Sequence, residues 1–185
     1  VPARAPAVAT RPGGDRVLIL LDDLRAKQAL YSQYGEHCSL LKAAMADGTS
    51  ANALYRLQEW LGAHGLAPLA LVPHVLNKWF NGCVIGVRAR FGPGFVLIHP
   101  VGIVINSAVR GGRDVWLESG VVIGDNRGGT PLLGDHVFVG SGAKIIGPLR
   151  VGDGARIGAN AVVLSDVPDG ATMVGIPARP LPQRD

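Results

Sequence analysis

The 185-residue chain has only two cysteines, and it lacks the long apolar runs that mark membrane proteins. Cys38 and Cys83 lie in apolar surroundings without a CxxC motif, so we expect two reduced, buried thiols, as in a cytoplasmic protein. Because no run of about eighteen apolar residues is present, we expect no membrane span. The opening VPARAPAVATRPGG lacks the apolar segment of a signal peptide and is interpreted as a flexible arm over residues 1–14.

Aromatic residues are also few, at 5% of the chain, whereas glycine (26) and proline (13) are abundant. We therefore expect many turns and small side chains. The formal charge of +4 comes from arginines scattered along the chain, and no basic block is present. This pattern argues against a nucleic-acid surface and suits an anionic ligand.

Residues 15–82 carry helical patterns. Leucines from Leu18 to Leu30 are spaced like one apolar helix face, with two aspartates early in the segment. The segments HCSLLKAAMADG and SANALYRLQEWLGAHG each end near a glycine that can cap a helix, and Pro73 marks the start of a short helix in PHVLNKWFNG. We predict a small α-helical domain over these residues.

After Gly82 the apolar residues recur every six positions. The positions counted in steps of six are Ile85, Phe91, Leu97, Ile103, Val109, Val115, Val121, Arg127, Leu133, Val139, Ile145, Val151, Ile157 and Val163. Only Arg127 is not apolar. Glycine often follows the apolar residue, as a tight corner between short strands requires. A period of six indicates a solenoid with three short faces per coil. We predict a left-handed parallel β-helix of about four to five coils over residues 83–168, with the helical domain covering one open end.

The repeat and its tail resemble the hexapeptide-repeat acyltransferases, in particular the serine acetyltransferase family. The resemblance runs through LLDDLRA, YRLQEWLGAHGL and the long segment VGSGAKIIGPLRVGDGARIGANAVVLSDVPDGATMVGIPARPL. Within this family, DDLRA and VVIGDNRGGTP are more similar to exopolysaccharide acetyltransferases of the colanic-acid type than to enzymes of the cysteine pathway.

This resemblance implies an acetyl-CoA-dependent O-acetyltransferase that acts on a hydroxyl of a sugar, a glycan or another small biosynthetic compound. Two alternatives stay open. One is serine O-acetyltransferase itself, and the other is a catalytically silent trimeric scaffold.

The family binds CoA in a groove between adjacent solenoids of a trimer, so the resemblance implies a homotrimer and leaves the pairing of trimers open. The CoA-binding residues that it indicates are Gly128, Ser141, Gly142, Ala143, Lys144, Arg156, Gly158, Ala159, Pro177 and Arg179, the last two in the tail of residues 169–185. Small side chains would let the pantetheine arm approach the backbone, and the cations would meet its phosphates. The alternative is a set of ordinary solenoid corners beside a solvated basic face.

Acetyl transfer to a hydroxyl needs a base, and the segment FVLIHPVGIVIN supplies His99. It is similar in position to the catalytic histidine of the family. Counted in unbroken hexads, His99 lies between Leu97 and Ile103, off the core row. The alternative is a buried, hydrogen-bonded core histidine. Because the solenoid has no cluster of histidines, we expect no metal site.

This sequence lacks one functional residue of the family pattern, the acid that orients the catalytic histidine. Serine acetyltransferases orient the catalytic histidine with an aspartate fifteen residues earlier, where this chain has Val84. Glu118, about one coil after His99, is the first candidate for a replacement, and Asp114 and Asp125 are weaker ones. The alternative for all three acids is an exposed corner position.

A second departure concerns the acceptor. The family's Arg-His pair, which meets the amino-acid substrate, is replaced by Gly129 and Thr130. We predict that Asn126, Arg127 and Asp114 contact the acceptor instead. For Arg127, an ordinary loop arginine is the alternative.

Overall fold

The computed structural model describes residues 16–33, 35, 38–126 and 128–182. Four helices come first, namely α1 (Arg16–Gln33), α2 (Leu40–Met45), α3 (Thr49–Ala63) and α4 (Leu71–Asn81). The Ser39 hydroxyl caps α2 by accepting a hydrogen bond from the Lys42 backbone N–H at 3.2 Å. Gly82 ends α4 in the left-handed conformation, with φ at 59°. Among the described residues, no helix is both long and apolar enough to cross a membrane.

Short strands follow α4. They are β1 (Val84–Ile85), β2 (Arg90–Phe91), β3 (Val96–Leu97), β4 (Val104–Ile105), β5 (Arg110–Gly111), β6 (Trp116–Leu117), β7 (Val122–Gly124), β8 (Leu132–Leu133), β9 (Phe138–Val139), β10 (Lys144–Ile146), β11 (Arg150–Val151), β12 (Arg156–Ile157), β13 (Val162–Val163), β14 (Thr172–Val174) and β15 (Arg179–Pro180).

The strands stack into three faces of a prism. The first face holds β1, β4, β7, β10 and β13, the second holds β2, β5, β8 and β11, and the third holds β3, β6, β9, β12 and β14. All these pairings are parallel, and β15 adds to β14 in the antiparallel sense. The prediction of a parallel β-helix with a preceding helical domain is confirmed, as a solenoid of about four coils. Its left-handed sense stays a prediction.

The interior of the solenoid is a stack of apolar side chains. On the first face, each inward residue lies over the next: Ile85, Ile105, Ile123, Ile145 and Val163, all at most 2% exposed. Full burial of such a side chain stabilises the fold by about 1.5–3 kcal/mol. The second face has one gap in this pattern, at Gly111, where an added Cβ would overlap the Phe91 ring of the coil before. The phenylalanine therefore occupies the volume that Gly111 leaves.

The coils differ in length. The residues aligned along the first face are Val84, Val104, Val122, Lys144 and Val162. The coils between them take 20, 18, 22 and 18 residues. Two extra residues lie between β3 and β4, and four lie between β7 and β8. The expectation of unbroken hexads is therefore wrong at His99, since the strand residue that follows Leu97 is Ile105 and not Ile103.

Counting every sixth residue does not reveal this shift in register, because the solenoid has two sets of buried apolar residues, one in the strands and one in the turns. Between the insertions, the counted positions fall on a row in the turns, where Ile103, Val109, Val115 and Val121 are all fully buried. The two insertions together equal one hexad, so the count returns to the strand row at Leu133. Arg127 breaks the apolar pattern because it belongs to the longer insertion, and it lies outside the described residues.

The helices cover the open edge of the first coil with polar side chains. Asn52 of α3 donates to the Phe95 carbonyl at 2.7 Å and accepts from the Leu97 N–H at 2.9 Å, as a neighbouring strand would. Gln58 of α3 and His74 of α4 contact the Ile85 carbonyl at 3.2 and 2.9 Å. An exposed strand edge must be paired or covered, and these side chains pair it.

Arg56 of α3 is the centre of this contact. Its guanidinium makes a two-pronged ion pair with Asp23 of α1, at 2.8 and 3.0 Å, and donates to the carbonyls of Phe91 and Gly92 at 2.9 and 2.6 Å. Both charged side chains are buried. The negative charge of Asp23 holds the pKa of Arg56 above its ordinary value, against the opposing effect of burial. The ion pair therefore joins α1, α3 and the second face.

Candidate active site

His99 lies on one edge of the prism, in the turn from the third face to the first. We call this edge the His99 corner, formed by residues 98–103, 118–121, 140–143 and 158–161. The first of these turns has six residues and the other three have four. The hydrogen bonds between the stacked turns align Ile98 with Glu118 and Val101 with Ser119, so His99 and Pro100 are the two extra residues. The His99 side chain is 53% exposed. The alternative of a buried core histidine is therefore wrong.

An acid from the helical region stands beside the ring. The Oδ2 atom of Asp47 lies 3.5 Å from Nδ1 of His99. Asp47 belongs to the turn between α2 and α3 and is 52 positions away from His99 along the chain. Its local sequence, Asp-Gly after a helix, is typical of any turn. Sequence reasoning missed it because only the packing of the helices on β3 brings the two residues together.

An open pocket of about 380 Å³ adjoins His99. Its lining residues are Ala44, Met45, Ala46, Asp47, Gly48, Ser50, Phe80, Asn81, His99, Pro100 and Val101. The polar groups are the Asp47 carboxylate, the imidazole, and a Ser50 hydroxyl that donates to the Asn81 side-chain oxygen at 2.7 Å. Met45, Phe80 and Val101 supply exposed apolar walls. The dimensions and lining suit a small molecule that has both polar and apolar parts.

Several of the predicted CoA residues share the edge of His99. The turns stack through backbone hydrogen bonds, from Gly120 to the Val101 carbonyl at 2.9 Å and from Gly142 to the Ser119 carbonyl at 2.7 Å. Ser141, Gly142, Gly158 and Ala159 all lie in these turns. Lys144 folds back on the same edge, and its ammonium donates to the carbonyls of Gly120 and Gly142 at 3.1 and 2.7 Å.

The other predicted CoA residues lie in different surroundings. Arg156 stands on the outer third face, with its guanidinium 4.8 Å from the centre of the Phe138 ring. Pro177 and Arg179 are exposed near β15, beyond the last coil. Ala143 is fully buried, so only its backbone could meet a ligand.

Three further predicted residues, all of them described, lie away from the His99 corner. Asp114 lies on the corner between the second and third faces, where its Oδ2 is 3.3 Å from Nδ1 of His136. Asn126 and Gly128 lie in the insertion between the first and second faces. Arg127, between them, is outside the described residues.

Glu118, the predicted orienting acid, does lie at the His99 corner. Its strand register places it level with Ile98, because Leu117 aligns with Leu97. Among the carboxylates of the described residues, Asp47 is the one that lies within 4.0 Å of a His99 ring nitrogen. Asp125, one of the two weaker candidates, follows β7 on another edge. The structure thus places a different acid beside the imidazole.

Across the part of the chain that the structure describes, no three histidine, cysteine, aspartate or glutamate side chains come together in a way that could hold a metal ion.

Sequence comparison finds serine acetyltransferases among the relatives of this chain. Residues 130–165 match the family model described as bacterial transferase hexapeptide (six repeats). Over 133 residues, 70% of this chain, the sequence is 40% identical to a serine acetyltransferase of Helicobacter pylori, of which it covers 74%. It is 37% identical over 133 residues to a serine acetyltransferase of Mycobacterium tuberculosis, again over 70% of this chain. The chain spans 58% of the length of that relative.

Solved structures agree with the sequence relatives. Soybean serine acetyltransferase complexed with serine superposes with a TM-score of 0.81 at 31% identity, over 90% of this chain and 69% of the soybean chain. A serine acetyltransferase in complex with CoA gives a TM-score of 0.82 at 29% identity, over 90% of this chain and 69% of that chain. The predicted likeness to the exopolysaccharide branch finds no support in these comparisons.

Proposed function

Because the chain belongs to the serine acetyltransferase family of hexapeptide-repeat transferases, we propose that it transfers the acetyl group of acetyl-CoA to the hydroxyl of L-serine. The observation that carries this proposal is the 40% identity to a serine acetyltransferase of which the chain covers 74%. The sequence motifs favour a sugar or glycan hydroxyl as the acceptor, with serine as the alternative. The relatives favour serine.

His99 is the proposed general base. It is exposed beside a pocket with polar and apolar walls, and a neutral imidazole can take a proton near neutral pH. In the reaction, the serine hydroxyl loses its proton to Nε2 of His99 while its oxygen forms a bond to the acetyl carbon. The carbon–sulfur bond of the thioester breaks, and His99 returns the proton to the departing sulfur. Base catalysis of this kind contributes roughly 10²- to 10⁴-fold in rate.

The His99 corner offers a route for the acetyl donor. Gly142, Gly158 and Ala159 lie along this edge with little side-chain bulk, which fits a pantetheine arm that must approach the backbone. Lys144 on the same edge, with Arg156 and Arg179, would hold the phosphates of CoA. A homotrimer that places this edge against a neighbouring solenoid is part of the proposal, as is a cytoplasmic location.

The test is thiol release from acetyl-CoA, measured with L-serine and, separately, with a hydroxylated sugar. We expect serine-dependent release by the natural chain and a loss of roughly 10²- to 10⁴-fold in kcat for His99→Ala. His136→Ala is the matched control, since His136 is also exposed and also lies beside an aspartate, and it should stay within about twofold of the natural chain.

Three outcomes would change the proposal. Unchanged turnover in His99→Ala would remove the base, and release with sugar but not with serine would restore the sugar acceptor. Calorimetry that detects no CoA binding at millimolar ligand would favour the silent scaffold.

A further inference from the structure

Asp47 of the helical region lies beside His99, the candidate base in the solenoid, with Oδ2 at 3.5 Å from Nδ1. We propose that Asp47 is the positioning residue of His99: it holds the ring with Nδ1 toward its carboxylate and Nε2 toward the substrate hydroxyl. This inference rests on the proposed acetyltransferase function. It assigns the orientation of the His99 ring to a residue of the helical region, because the apolar side chain of Val84 cannot accept a hydrogen bond from the ring.

A buried lysine holds the turn that carries Asp47. Lys27 of α1 donates from its ammonium to the Asp47 carbonyl, to the Thr49 hydroxyl at 3.1 Å and to the Leu97 carbonyl at 3.2 Å. Lys27 is 2% exposed, so these bonds are shielded from water. One buried ammonium therefore ties the turn that carries Asp47 to the end of β3, two residues before His99.

Gly48 brings the turn into close contact with this strand. Its φ of +77° is in the left-handed region, and an added Cβ would overlap the Leu97 carbonyl. Only glycine meets both conditions without strain. The Asp-Gly pair thus combines an exposed carboxylate with a backbone that packs directly against β3.

The separation of 3.5 Å between Oδ2 of Asp47 and Nδ1 of His99 is longer than a formed hydrogen bond, which spans about 2.7–3.2 Å. The Asp47 side chain is 78% exposed and can rotate toward the ring. Catalytic hydrogen bonds are often long before substrate binds and shorten in the complex. A carboxylate that accepts from Nδ1–H selects the tautomer in which Nε2 has a free lone pair.

A competing role for Asp47 is direct contact with the acceptor. Asp47 lines the same pocket as Ser50 and Asn81, so its carboxylate could bind the ammonium group of an amino acid. The two roles differ in kinetics. Loss of acceptor binding raises KM for serine, whereas loss of His99 positioning lowers kcat.

The experiment compares Asp47→Ala, Asp47→Glu and the control Asp22→Asn in the full chain. Asp22 is a surface aspartate of α1 with an exposed ion pair to Arg25 at 3.6 Å. We expect Asp47→Ala to lose roughly 10- to 100-fold in kcat with KM for serine and CoA affinity almost unchanged. Asp47→Glu should recover part of the loss, and Asp22→Asn should match the natural chain.

Nitrogen-15 NMR of the His99 ring gives a second readout that needs no turnover. The share of the neutral ring that has its proton on Nδ1 should fall in Asp47→Ala, with melting temperature as the check on folding. An unchanged tautomer, an unchanged kcat, or a rise in KM alone would overturn the positioning role. If the natural chain does not acetylate serine, the proposed function fails, while the NMR comparison still decides whether Asp47 orients the ring.

Discussion

The interior of the solenoid and its contact with the helices are both buried, but they are built from different side chains. The interior is a stack of aliphatic residues such as Ile105, Ile123 and Ile145. The contact instead buries Lys27, Asn52 and Arg56. The reason lies in the backbone, because each inner coil has its peptide groups paired by the next coil, whereas the outer edge of the first coil has no such neighbour.

This difference shows that the open end of a solenoid needs partners for its backbone N–H and C=O groups more than it needs an apolar cover. Side chains of α1, α3 and α4 reach the first coil at Ile85, Phe91 and Leu97, one point on each face. A purely apolar cover would leave these backbone groups unpaired, at a cost of about 1–3 kcal/mol each. The polar contact is therefore required by the geometry of the repeat.

The largest expected effect is at Arg56. Replacing it by methionine leaves Asp23 buried without its partner and the carbonyls of Phe91 and Gly92 without a donor, so we expect a loss of about 3–5 kcal/mol in the free energy of unfolding. Urea denaturation measures it. Arg90→Met is the control, because the Arg90 side chain is partly exposed and lies 3.8 Å from Glu59, and it should cost less than about 1 kcal/mol. Equal losses in the two variants would mean that the buried pair has no special role.

A smaller effect is expected inside the solenoid. Gly111→Ala places a methyl group against the Phe91 ring, and overpacking of this kind costs about 1–3 kcal/mol. Adding Phe91→Leu should recover part of the loss in thermal or urea unfolding. The control is Gly62→Ala on α3, where the nearest atom is 3.7 Å away and the change should stabilise by up to about 1 kcal/mol. Additive losses in the Gly111 and Phe91 double variant would exclude the packing explanation.

The smallest effect is a dependence of stability on pH. Burial lowers the pKa of Lys27 from 10.5 to about 8, so above pH 8 the unfolded chain binds more protons than the folded one and stability rises with pH. Burial raises the pKa of the Cys83 thiol from 9.0 to about 12, so that group removes stability above pH 9. We expect the free energy of unfolding to rise between pH 8 and 9, by at most about 1.4 kcal/mol for one proton, and then to level off.

Urea titrations at pH 7, 8, 9 and 10 test this expectation. Lys27→Met should abolish the rise, and Cys83→Ala should extend it above pH 9. A rise that persists in Lys27→Met would assign it to another group.

The sequence was sufficient for the solenoid because every coil repeats the same physical requirement. Apolar residues such as Leu133 and Val139 recur at inward positions, and the period of six gives three faces. The alignment of residues between successive coils was harder to predict than the repeat itself. The longer insertion, after Gly124, is marked by Arg127, but the insertion at His99 is not, because the second buried row keeps the six-residue count apolar from Ile103 to Val121.

The candidate site was predictable only in part, for a related reason. His99 has a local signal, since a histidine in an otherwise apolar segment needs an explanation. Asp47 has none, because its role depends on a contact between segments that no periodicity relates. The burial of the charged residues Asp23, Lys27 and Arg56 was missed in the same way, since charged residues on amphipathic helices are ordinarily taken for the solvent face.

The longer turn at His99 has a consequence for how the histidine is placed. The turns stacked on it close the same corner with four residues, so the prism does not need the two additional ones. In the four-residue turns stacked on it, Ser119 and Ser141 are half-buried, whereas His99 is exposed. The exposure of the imidazole thus depends on the number of residues in this turn and not on a particular neighbouring side chain. Adding or removing turn residues would therefore change how far His99 extends from the solenoid.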